Sequence, residues 1–99
     1  MAKRIWIGTV EIEYTTKESP GKAKRAFTNI TTWAGDYDEF CRKCKEMLDH
    51  YGWQLQGIEK AVPVQQSCQF DDEVRDMIER TRANRSAVIH GTFHTYPSG

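Results

Sequence analysis

Apolar and polar residues alternate singly over residues 4–15. Trp6, Val10, Ile12 and Tyr14 fall on one side, and Ile5, Ile7, Thr9, Glu11 and Glu13 on the other. Period-two alternation of β-branched and aromatic residues is the mark of a strand. Residues 23–33 alternate again, with Phe27, Asn29, Thr31 and Trp33 against Ala26, Thr28, Ile30 and Thr32. The polar stretch between them, residues 16–22, holds a Pro20-Gly21 turn signal. A link that short predicts an antiparallel hairpin.

The period then changes. Tyr37, Phe40, Cys41, Cys44, Met47, Leu48 and Tyr51 recur at spacings of three and four, with charged residues between them. This is one continuous helical stripe. Asp36 is suited to the N-cap, with Glu39 three residues on as in a capping box, and Gly52 to the C-terminal exit. Residues 53–62 predict a third strand, with Trp53, Leu55 and Gly57 on one face and Gln54, Gln56, Ile58, Lys60 and Val62 on the other. Pro63 marks its end or an edge position. A narrower stripe of Val74, Met77, Ile78 and Thr81 predicts a second helix over about residues 71–83, capped near Asp71. Its first turn is acidic, and Arg80 and Arg82 occupy its last turn, as the helix dipole favours. Residues 86–96 alternate once more, with Val88, His90, Thr92, His94 and Tyr96 on one side.

The order β-β-α-β-α-β predicts an α+β fold. We expect a two-layer sandwich, a mixed four-stranded sheet with both helices on one face, and strands three and four parallel through a right-handed crossover. Residues 1–99 read as a single domain. Two helices on one face leave the other partly uncovered, and such a face often takes a partner.

Charge narrows the partners. Basic and acidic residues balance at 14 each, whereas nucleic-acid binding usually draws on a basic excess. Only the N-terminal third is basic. Lys17, Lys22, Lys24 and Arg25 crowd the hairpin; Arg75, Arg80, Arg82 and Arg85 decorate the second helix and its exit. Acids interleave with the second group, so both read as solvated faces. Three cysteines, an odd number, argue against a disulfide framework and for a reducing compartment. The apolar run Ile5-Trp6-Ile7 is too short for a signal peptide or membrane span, and a cytoplasmic location is expected.

Candidate chemistry is sparse. Cys41 and Cys44 have the spacing of a redox or metal pair, but both lie on the apolar stripe inside the helix, so core packing is the preferred reading. No metal, cofactor or catalytic group is expected. His90, Thr92, His94 and Tyr96 form a polar-aromatic strip, although two histidines four residues apart on a straight strand stand about 13 Å apart, too far to share one metal. Tyr14 and Trp33 are candidates to complete a shallow cleft there. Trp6, Trp33 and Trp53 read mainly as core anchors. The leading expectation is a non-enzymatic, bacterial-type interaction or regulatory domain that acts through an uncovered sheet face or edge as a homodimer or on a protein partner. The alternatives are a small enzyme or ligand binder using His90, His94 and Tyr96, and weak nucleic-acid binding by the basic hairpin.

Overall fold

The computed structural model describes residues 3–14, 24–65 and 69–95. The hairpin loop at 16–22, Cys68 and Tyr96 lie outside the described residues. The elements are β1 (Arg4–Tyr14), β2 (Lys24–Ala34), α1 (Tyr37–His50), β3 (Gln54–Pro63), α2 (Asp72–Ala83), β4 (Val88–His90) and β5 (His94–Thr95). The α+β class and the element order are those the sequence predicts. The last predicted strand is divided into β4 and β5, both of which pair with β2.

The sheet runs β3-β1-β2-β4, and every pairing is antiparallel. The expected parallel pair of β3 and β4 does not form, because the two strands occupy opposite edges. The segment after Pro63 accounts for this. Val64 and Phe70 pack with Ile5, Val74 and Ile78, so the chain doubles back beneath the sheet before α2 begins. Helix α2 then ends near the point where β3 finished, and β4 returns against its neighbour β2.

The helices also lie on opposite faces, which corrects the expectation of a two-layer sandwich with a bare side. Phe40, Cys44 and Leu48 of α1 pack on Val10, Ile12, Ala26, Ile30 and Ala34. Val74 and Ile78 of α2 pack on Ile5, with Ile7 and Trp33 beside them. Cross-strand pairs such as Ile5↔Trp33 and Ile7↔Thr31 set that second patch on the alternate pleat from Gly8↔Ile30 and Ile12↔Ala26. The physical reason is local. The second face is apolar mainly at the Ile5 and Trp33 end, and the narrow stripe of α2 matches that short patch. The remainder of the face is mostly polar, apart from Phe27 and the exposed edge residue Val62. Thr9 Oγ1 donates to Asn29 Oδ1 at 2.9 Å, and Arg25 lies 3.6 and 3.7 Å from Glu11 and Glu13.

Caps fix the helix ends. The Asp36 carboxylate accepts from the Glu39 N–H at 2.8 Å, and Glu39 reaches back to the Gly35 N–H at 2.7 Å. Asp71 accepts from the Val74 N–H at 2.8 Å. Gly52 follows α1 with φ of 78°, a left-handed conformation that suits glycine.

Two departures from strict alternation change which side chains face the core. Strand β3 shifts register against β1 between Thr9 and Val10 and again between Glu11 and Ile12. Each bulge adds a residue to β3. As a result Leu55, Ile58 and Ala61 all turn to the α1 side, not on to the two faces that alternation predicts. The other slip separates β4 from β5. Ile30 pairs with His90, but Phe27 pairs with His94.

Candidate functional site

The β4–β5 slip decides the fate of the predicted histidine strip. One extra residue over that interval reverses which side faces out. His90 therefore shares the α1 side with Ile30, while His94 shares the α2 side with Phe27, on which it stacks at 5.3 Å. Thr92 sits in the slip itself. Its N–H and Oγ1 both donate to Glu73, at 2.7 and 2.9 Å, and its carbonyl accepts from Thr28 at 3.1 Å. Tyr14 packs against the α1-side core. The structure does not bring His90, His94, Thr92 and Tyr14 together around one cleft.

His90 joins another group. Tyr51 stacks on Trp53 at 4.8 Å, and His90 stands nearly perpendicular to both, with Phe93 at 4.9 Å. The His90 Nδ1 lies 2.9 Å from the Gly91 carbonyl. In the neutral ring Nδ1 is then the donor, which leaves Nε2 as an acceptor. These rings close the sheet beneath the C-terminus of α1. His90 meets Tyr51 and Trp53 edge to face, and Phe93 meets Trp53 the same way, which favours their ring quadrupoles.

Cys44 is fully buried in the core, and burial pushes its thiol pKa up to about 12. A thiol held protonated is neither a metal ligand nor a nucleophile. Cys41 is half-buried, and its hydrogen bond with Tyr37 raises the Tyr37 phenol. Among the described residues no group of three or more His, Cys, Asp or Glu side chains could hold a metal ion. No described helix is long and apolar enough to cross a membrane.

The concave feature of interest lies at the opposite end of the sheet, where β1 begins, β2 and β3 finish and α2 ends. A shallow, open cleft of about 610 Å³ lies there. Ile5, Trp33 and Val64 give it an apolar wall; Lys3, Arg4 and Arg82 give it a cationic one, with the Gln65 amide between. Trp33 is held from two sides. Its Nε1–H donates to the Thr81 carbonyl at 2.6 Å, and its own carbonyl accepts from Lys43 Nζ at 2.6 Å. Arg85 places its guanidinium 5.0 Å from the centre of the Trp33 ring, a cation–π contact.

The electrostatics of this end are one-sided. Lys3 pairs with Glu39 at 3.0 Å and Arg82 with Glu79 at 2.8 Å. Arg4 and Arg85 have no carboxylate partner among the described residues. Lys43, close by, is pushed below the usual lysine range, first by burial and then by the positive charge of Lys3. The predicted site residue Trp33 is thus at the cleft, but four cationic residues around it were not paired with it by sequence reasoning. Lys3 immediately precedes β1 and Arg4 opens it, while Arg82 and Arg85 belong to a group interleaved with acids along the sequence. The visible signal was Arg85, which lies beyond the last acid of α2.

Compared with protein-family models, curated proteins and solved structures, the chain matches none.

Proposed function

We propose that this is a non-enzymatic binding domain whose ligand is an organic anion, received in the cleft at the cationic end of the sheet. The observation that carries this reading is the cationic wall of Lys3, Arg4 and Arg82 set against an apolar wall built on Trp33, with Arg85 stacked on the Trp33 ring and no carboxylate paired with Arg4 or Arg85 among the described residues. Guanidinium is the side-chain group best suited to carboxylate and phosphate oxygens, because its N–H donors are fixed in a plane. The groups around the cleft hold charge rather than move protons: they are guanidiniums, an ammonium, an amide and apolar side chains.

The expectation of a homodimer assumed a sheet face with no helix on it, whereas each face carries a helix and the open remainder is mostly polar, with Phe27 and Val62 its apolar members. Binding of nucleic acid by the hairpin loses one contributor, because Arg25 is engaged by Glu11 and Glu13.

A fluorescence titration with 8-anilinonaphthalene-1-sulfonate, an apolar ring system with one negative charge, tests the reading. The wild-type chain should bind it, and the double variant Arg4→Glu, Arg85→Glu should not, with both proteins giving the same circular dichroism spectrum. Equal binding by the two folded proteins would refute the assignment.

A further inference from the structure

The cations that line the cleft are held in different ways, granted that the cleft is the binding site. Arg4 opens β1 at its rim and has no carboxylate partner among the described residues. Lys3 and Arg82 each meet one glutamate, Glu39 at 3.0 Å and Glu79 at 2.8 Å. An anion that enters the cleft must share these two cations with carboxylates already beside them.

The two glutamates differ in how firmly they are fixed. Glu39 is only 21% exposed, and its other oxygen accepts from the Gly35 N–H at 2.7 Å. That carboxylate belongs to the N-terminal cap of α1, so its charge stays beside Lys3 whatever occupies the cleft. Glu79 is 68% exposed and meets Arg82 three residues on, along the outer surface of α2. A pair so open to water contributes little to stability, and Glu79 can turn into solvent without stranding a buried group. Its carboxylate and an incoming anion seek the same guanidinium. Asp76 offers a comparison within the same helix. It pairs with Arg80 at 3.0 Å and is similarly exposed, but Arg80 does not line the cleft.

We propose that Glu79 is an internal competitor for the anion site: it occupies the Arg82 guanidinium in the empty cleft, and an anionic ligand displaces it. Glu79 thereby sets the affinity of the cleft without lining it. Fluorescence titrations of the full chain with 8-anilinonaphthalene-1-sulfonate, at one fixed low ionic strength, test this. Glu79→Gln removes the competitor and should tighten binding about threefold, the scale of an exposed ion pair. Asp76→Asn makes the same change of net charge one turn away and should leave the affinity nearly unchanged. The gain should also vanish without its target, so that the double variant Glu79→Gln, Arg82→Gln binds no more tightly than Arg82→Gln alone.

Equal gains from Glu79→Gln and Asp76→Asn would make the effect one of net charge and overturn the inference. Wild-type affinity in Glu79→Gln overturns it too, as does a gain that persists without Arg82. Each of these results leaves the anion-binding reading in place, because the wild-type chain still binds the probe. Failure of the wild-type chain to bind it overturns both this inference and the reading beneath it.

Discussion

At Gly8 the sheet and α1 come closer than any side chain allows. A methyl group there would meet the Lys60 carbonyl at 2.7 Å and the Phe40 ring at 2.8 Å. Phe40 is wholly buried and has nowhere to retreat. Gly8→Ala should therefore cost roughly 1–3 kcal/mol, the usual penalty for overpacking, measured as a lower midpoint in urea unfolding. A second test at this scale concerns two buried hydroxyls. Thr81 donates to the Met77 carbonyl at 2.8 Å and so accepts from Thr31, also at 2.8 Å. Removing the Thr81 hydroxyl strands the Thr31 donor on a 3.4 Å contact to Met77. Removing the Thr31 hydroxyl leaves Thr81 with its own bond intact. Thr81→Val should thus cost about 1–3 kcal/mol and Thr31→Val less, because an unsatisfied buried donor carries the larger penalty. Reversed values in thermal unfolding would contradict this hydrogen-bond order.

At the scale of elements, two glutamates tie helix starts to their surroundings. Glu39 is held below the usual carboxylate range first by the Gly35 N–H and then by Lys3; Glu73 is held down by the Thr92 N–H and hydroxyl. A folded-state pKa below the unfolded one contributes stability above the unfolded value, near 4.3, that is lost as pH falls through the folded value. Acid should therefore destabilise the fold progressively below about pH 4.5. Glu73→Gln and Glu39→Gln should each flatten that acid limb in melting temperatures measured from neutral to acid pH. The same elements show what the sequence made legible. Strict alternation located β1 and β2 and their faces, and the helical stripes and Asp caps located α1 and α2 to within a residue or so. The faces of β3 and of the last strand were not legible, because a bulge adds one residue without changing the residue types around it. The side taken by α2 was missed for a different reason. A total of apolar positions over the whole sheet hides that Ile5, Ile7 and Trp33 form a separate patch that needs its own cover.

At the scale of the molecule, a chain with no net charge is nonetheless polarised. Tertiary folding brings Lys3 and Arg4, at the start of the first strand, to the end of the sheet where Arg82 ends α2 and Arg85 follows it, and Lys43 joins them from α1. Trp33 could be singled out from sequence, but its cationic neighbours are distant along the chain, and no local pattern joins them. Like charges gathered at one end repel, and a bound anion relieves that repulsion. Sulfate should raise the melting temperature more than chloride at equal ionic strength, through binding to the native state. The difference should shrink in Arg4→Ala and again in Arg85→Ala. An equal response to both salts would leave only general screening.

The slip between His90 and His94 has a practical consequence for such experiments. Two imidazoles four positions apart look into separate compartments, one among the rings under α1 and the other on Phe27 across the sheet. Their proton resonances form a built-in pair of reporters. A ligand or substitution that disturbs a single layer should move one signal and leave its neighbour still.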